Sequence, residues 1–277
     1  MDLQLEGKVA LVTGGSRGIG LAIGHSLAAE GVKVVVAART QSDVDQAAQE
    51  IEAQHGAQTL GVVADVKSAE DVERAVESSA SAFGGVDILV SNAGVPGGIG
   101  FGPLETLDDS LVLMDIETKF LGALRAARAV APHMKKNGWG RIIGVIGLSA
   151  RYSSRYPSER NPEGAFNYSG GPRNLAVAHL MRTLSHELGD AGVTANAVLP
   201  GATMTEDLAA MIDRRAKATG QDPAELRRLA ASGNAIGRWV ESSEVADVVT
   251  FVASPRAASI SGEVIAASGG AGMGVFT

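Results

Sequence analysis

A doubly wound parallel α/β sheet in a single domain is predicted by three features of this chain. Short β-branched runs alternate with helix-length segments almost from end to end. The runs are apolar at successive positions, as strands covered on both faces must be. A length of 277 residues, 45% hydrophobic and 20% charged, suits one large domain spanning 1–277 with a full-sized core.

The strands expected in order are KVALVT (8–13), KVVVAA (33–38), TLGVVA (59–64), DILVSN (87–92), RIIGVI (141–146), VTANAV (193–198) and GEVIAA (262–267). Helices are expected over 19–30, 42–54, 69–83, 107–136 and 174–189. Two segments break the alternation. Residues 147–170 read as a long loop on the substrate side. Residues 205–237 are polar and helical in pattern, interrupted by TGQDP and SGN, and are expected to form a lid.

Composition excludes several functions. A formal net charge of −7 argues against a nucleic-acid surface. The absence of cysteine removes disulfides and thiolate metal sites, and His25, His55, His133, His179 and His186 lack ligand spacing. No apolar run approaches a membrane span, and the first residues lack the basic start of a signal peptide. A soluble, cytoplasmic protein acting on a small molecule, without metal, nucleic acid or membrane, is expected.

The segment TGGSRGIG (13–20) follows the first strand and opens the first helix. Gly14 permits the turn, Ser16, Arg17 and Ile19 line it, and Gly18 and Gly20 let backbone approach a pyrophosphate at the helix amino terminus. That is the dinucleotide turn of a Rossmann fold. At the end of the second strand an acidic residue would hold the ribose of NAD, but the chain reads Ala37-Ala38-Arg39-Thr40. Arg39 and Arg17 together suit a 2′-phosphate, which favours NADP(H) over NAD(H).

With these motifs the chain resembles a short-chain dehydrogenase/reductase over nearly its whole length. TGGSRGIG matches that family's cofactor turn, ADV (64–66) its adenine contact and SNAG (91–94) its fourth-strand motif. NAVLPGATMT (196–205) and SGEVIAASGG (261–270) match its sixth and closing strands. The resemblance implies that Asp65 and Val66 flank the adenine, that Asn92, Ala93 and Gly94 line the cofactor floor, and that the stretch containing Pro200, Gly201, Thr203 and Thr205 holds the nicotinamide amide and pyrophosphate. It also implies a homo-oligomer, tetramer or dimer, packed through 107–136 and 174–189.

The family's usual Ser, Tyr, Lys and Asn do not fall where expected. Gly147 stands at the serine position, and the nearest hydroxyl is Ser149. Tyr168 is followed at the lysine offset by Pro172. Counting back from LSHEL (184–188) instead puts Asn174 at the lysine position and Gly170 at the tyrosine position. That register is the better one physically, because Pro172 then sits in a first helical turn and Val177, Leu180, Met181, Leu184 and Leu188 form one stripe. In the preceding helix, Lys119 occupies the place of the family's Asn.

A tyrosine brought from its reference pKa near 10 to near 7 needs about 4 kcal/mol. A cation about 4 Å away supplies roughly that at an effective dielectric of about 20. A neutral hydrogen bond, at about 0.5–1.5 kcal/mol, does not. The expected relay is therefore Tyr168 as proton donor, Lys119 as its electrostatic partner, and Asn174 and Ser149 as orienting groups. An ion pair of Lys119 with Asp115 is the alternative for the lysine, and Tyr152 and Tyr156 are rival phenols. The expected activity is NADP-dependent interconversion of a carbonyl and a secondary alcohol. The alternatives are a lyase, isomerase or cyclase on the same fold, or a non-catalytic dinucleotide-binding regulator.

Overall fold

The structure is a computed structural model that describes residues 1–153, 155–158, 161–231, 233–272 and 274. In chain order its strands are β1 (Val9–Thr13), β2 (Lys33–Ala38), β3 (Thr59–Val63), β4 (Ile88–Ser91), β5 (Gly140–Val145), β6 (Arg155–Ser158), β7 (Asn161–Phe166), β8 (Val193–Pro200), β9 (Thr203–Met204), β10 (Val240–Glu241) and β11 (Val264–Ala267). The helices are α1 (Gly18–Ala29), α2 (Gln41–His55), α3 (Ala69–Phe83), α4 (Asp109–Ile116), α5 (Gly122–Asn137), α6 (Gly170–Leu188), α7 (Glu206–Thr219), α8 (Pro223–Ala231) and α9 (Ser242–Ala253).

Seven strands form one sheet in the order β11-β8-β5-β4-β1-β2-β3, and every pairing in it is parallel. The order reverses beside β1, so β1 and β4 diverge into helices on opposite faces and leave a crevice at their carboxyl ends. Side chains alternate between the faces, as a two-residue period requires. Leu11, Leu89 and Ile142 pack with α3, α5 and α6, whereas Val12, Ile88, Val90 and Ile143 pack with α1, α2 and α9. Both faces are covered, which explains why the strands read as continuous apolar runs.

Two features depart from the pattern expected of the sequence. The helix expected over 107–136 is divided: α4 and α5 are joined by a π-helical turn, Glu117–Leu121, that contains Lys119. A π-turn accommodates an extra residue and shifts the phase of the side chains, a local change that apolar periodicity does not reveal. The segment expected as a loop contains an antiparallel hairpin, β6 with β7, followed by a bridge between Phe101 and Asn167. Pro162 and Gly164, both poor strand formers, hide it in the sequence. Helix α6 begins at Gly170, so Pro172 does lie in its first turn. Among the described residues no helix is long and apolar enough to cross a membrane.

Leu89 is 0% exposed in the middle of the sheet. Leu89→Ala is expected to lower the free energy of unfolding by about 2–5 kcal/mol, read from equilibrium urea denaturation.

Candidate active site

The glycine turn is held by contacts that only small residues allow. A β-carbon at Gly14 would lie 2.9 Å from Ala93 Cα, and one at Gly20 would collide with the Gly14 carbonyl. Asn92 Nδ2 donates to Gly14 O at 2.9 Å, and Thr13 Oγ1 accepts from the N–H groups of Asn92 (3.1 Å) and Ala93 (3.3 Å). The end of β1 and the segment after β4 are thereby fastened together, with the amino terminus of α1 opening at Arg17. Ser16, Gly18 and Ile19 are half-buried in this turn, while Arg17 and Arg39 are exposed. Those backbone N–H groups and the two guanidiniums suit an anionic dinucleotide.

The other residues expected at the cofactor end follow the carboxyl ends of β3 and β8. Asp65 Oδ1 accepts from Lys67 N at 2.9 Å, and Val66 is buried so closely against α5 that a β-carbon at Gly122 would lie 2.9 Å from it. Pro200 ends β8, Gly201 O accepts from Thr203 Oγ1 at 3.1 Å, and Thr205 caps α7 by accepting from Leu208 N at 3.3 Å. Thr205 also faces the glycine turn, 3.4 Å from where a β-carbon at Gly18 would stand.

At the catalytic end, Lys119 points inward and is only 6% exposed. Its ammonium donates to Asn92 O at 3.0 Å and Ala93 O at 3.3 Å, and its stem lies against Gly94. Burial, together with the nearby Arg173 guanidinium, brings Lys119 from its ordinary 10.5 down to about 7, against the opposing pull of Asp115. Asn174 approaches from α6 and donates from Nδ2 to Ser149 Oγ at 2.9 Å. Its Oδ1 is buried without a partner among the described residues.

Two glycines near this end are crowded to different degrees. A β-carbon at Gly147 would lie 3.2 Å from Asn174 Nδ2. One at Gly170 would lie 2.5 Å from Gly97 O and 2.6 Å from Asn167 Nδ2. Tyr168 precedes α6 and is half-buried, with its N–H donating to Gly100 O at 2.9 Å. Tyr152 directs its hydroxyl to Ala271 O at 3.1 Å, towards the carboxyl-terminal segment. Tyr156 lies in β6 by its backbone, but its side chain is outside the described residues.

Asp115 makes its ion pair with Arg173 of α6 rather than with Lys119, and both side chains are buried. The Asp115 carboxylate also accepts from Ser169 Oγ and from Ile99 N at 3.3 Å. Arg173 Nη2 donates to Val95 O at 2.6 Å, Ser169 Oγ accepts from Gly100 N at 2.9 Å, and Asn167 Nδ2 donates to Gly97 O. This network binds the glycine-rich loop 95–101 to the start of α6. Sequence reasoning missed Arg173, Ser169 and Asn167. The available signal was Arg173 beside Asn174 in an otherwise apolar helix start, two charged or amide groups that would be costly to bury without purpose.

The region expected as a lid forms α7 and α8, with Ile212, Ala216 and Leu226 packed against Trp239. Met204, Thr205 and Glu206 line a shallow concavity with Glu241, Ser242 and Ser243. Among the described residues no group of three or more His, Asp or Glu is placed to hold a metal ion.

The family model for short chain dehydrogenase matches residues 8–216. The short-chain reductase protein NovJ of Streptomyces niveus is 35% identical over 262 residues, 95% of this chain and 93% of that protein. The 3-oxoacyl-[acyl-carrier-protein] reductase FabG of Vibrio cholerae is 34% identical over 276 residues, 97% of this chain and 98% of that protein. Among solved structures, the L-sorbose reductase of Gluconobacter frateurii, complexed with NADPH and L-sorbose, superposes with a TM-score of 0.89 at 30% identity, covering 98% of each chain. Its parallel sheet, its glycine turn and these matches along almost its entire length establish that the chain belongs to the short-chain dehydrogenase/reductase family.

Proposed function

We propose that the protein is an NADP-dependent oxidoreductase that interconverts a carbonyl and a secondary alcohol on a small organic substrate through a rearranged proton relay. The observation that carries this reading is the inward ammonium of Lys119, hydrogen-bonded at the carboxyl end of β4 where the cofactor floor is expected. The reductases named above, one of them complexed with NADPH and L-sorbose, support the reaction class and the cofactor.

The residues present fit a dinucleotide. The glycine turn has no room for β-carbons at Gly14 or Gly20, and the buried Asn174 Oδ1 is an acceptor in need of a donor such as a ribose hydroxyl. Gly14 to Gly20 would take the pyrophosphate, Asp65 and Val66 the adenine, and Pro200 to Thr205 the nicotinamide end. Arg39 and Arg17 would take the 2′-phosphate. A nicotinamide bound there supplies or accepts the hydride.

The chain's own groups handle the proton. Tyr168 donates to the substrate oxygen in reduction, and the relay calls for a cation in the same site. In the family's usual register that cation comes from the position of Asn174, and in this chain it comes from Lys119 on the opposite helix. Asn174 and Ser149 form a hydrogen-bonded pair that orients the reacting groups. The crowding at Gly147 and Gly170 supports the exchange. A side chain at residue 147 would press on Asn174 Nδ2, and the loop carbonyl of Gly97 fills the space beside Gly170. The phenol is thereby moved two residues upstream, to Tyr168.

Arg39→Ala is expected to weaken NADPH binding by about tenfold or more while leaving NADH binding nearly unchanged, as read by fluorescence titration. Equal losses for both nucleotides would count against a 2′-phosphate clamp. Lys119→Met is expected to cut the rate of carbonyl reduction by about 10²–10⁴-fold. The same variant has a pH signature. Between about 7 and its ordinary 10.5, Lys119 binds fewer protons folded than unfolded, so the stability it contributes rises with pH across that window. The wild type should therefore gain stability relative to the variant as pH rises from about 7 towards 10.5, read as a growing shift of its denaturation midpoint to higher denaturant. A wild-type rate in Lys119→Met would rule out the relay.

A further inference from the structure

We propose that the buried Asp115–Arg173 pair is a positioning device for Lys119: it sets how readily that amine holds a proton by placing an anion and a cation beside it from two different helices. This rests on the part assigned above to Lys119 in the proposed reaction.

The pair is expensive to keep. The side chains of Arg173 and Asp115 are 4% and 1% exposed, and Arg173 Nε is buried without a partner among the described residues. Apolar residues of similar volume would stabilise such a place at least as well, so two full charges here call for an explanation other than stability. Arg173 reaches Asp115 and Val95 O with its two terminal nitrogens, and Asp115 accepts from Ser169 and Ile99. Both charges are therefore fixed in position, unlike charges on exposed and mobile side chains.

They also lie on elements that flank Lys119. Asp115 is one helical turn before it, at the end of α4, and α6, which carries Arg173, packs on the π-turn that carries Lys119. Other ionisable groups on the surrounding elements are in weaker positions to act on it. Glu117, on the π-turn itself, is half-exposed and pairs with Arg125 of α5 at 3.6 Å. The segment after β4 presents backbone carbonyls, and Tyr168 lies just before α6. With Lys119 neutral the Lys119–Asp115–Arg173 cluster has no net charge, and with Lys119 protonated it carries one positive charge. Arg173 opposes protonation of Lys119 and Asp115 favours it, and burial adds to the opposition. The balance leaves a lysine able to gain and lose a proton near neutrality.

The two halves of one ion pair should thus have opposite effects. The test is a pH titration, by NMR, of the full-length protein labelled with [ε-13C]lysine, the Lys119 resonance being assigned by its loss in Lys119→Met. The wild-type midpoint is expected at about 7. Arg173→Gln should raise it by about one pH unit or more, and Asp115→Asn should lower it by a similar amount. Arg173→Lys, which keeps the charge but not the two-pronged reach, should stay close to the wild type. Because either neutral variant leaves a buried charge unpaired, folding is first checked by circular dichroism. If one does not fold, the other and Arg173→Lys decide the matter. Shifts in the same direction, no shift in a folded neutral variant, or a shift in Arg173→Lys as large as in Arg173→Gln would overturn the proposal. The titration needs no turnover, so an enzyme inactive towards carbonyls would refute the proposed reaction and leave this result to stand or fall alone.

Discussion

Lys119 donates to two carbonyls, Asn92 O and Ala93 O, that lie just beyond the last paired residue of β4. The surrounding structure makes that contact possible. Thr13 occupies the N–H groups of the same two residues, which fixes their peptides and leaves the carbonyls turned towards the helix. The π-turn places Lys119 on the inner side of the α4–α5 segment. Gly94 leaves room for its stem. A buried ammonium without these acceptors would be too costly to hold, and with them it remains costly enough to titrate near neutrality.

The same contact connects the two halves of the crevice. The peptides that accept from Lys119 also fasten the glycine turn, because Asn92 Nδ2 donates to Gly14 O. On the other side, Asp115 and Arg173 hold loop 95–101 against the start of α6, and Tyr168 N is bonded to Gly100 O of that loop. Cofactor turn, lysine and tyrosine segment therefore belong to one continuous hydrogen-bonded structure. In the proposed relay, a cation from the α4–α5 wall takes over from one on α6, with glycine at 147 and 170 making the exchange sterically possible.

Much of this was legible in the sequence because burial on both faces of a parallel sheet leaves a strong record. The seven sheet strands fall within a residue or two of the apolar runs, and α1, α2, α3 and α6 lie close to their expected spans. The candidacy of Lys119 was legible too, from its place at the family's Asn position, but its direction was not. Nor were its partners. Asp115 four residues earlier invited an ion pair along the helix, whereas Arg173 on another helix claims that carboxylate. Contacts between helices distant in sequence leave no periodic signature. The π-turn was hidden for a similar reason, since it changes the phase of a helix without changing its composition. The β6–β7 hairpin was obscured by Pro162 and Gly164.

In the proposed relay Lys119 supplies, from the opposite wall, the charge on which proton transfer depends. A crystal structure of the protein with NADP bound tests it most directly. The Lys119 ammonium is expected within about 3.5 Å of a nicotinamide ribose hydroxyl, with the Tyr168 phenol directed into the same space. A ribose held by other residues, with Lys119 out of hydrogen-bonding reach of it and Tyr168 turned away, would contradict it.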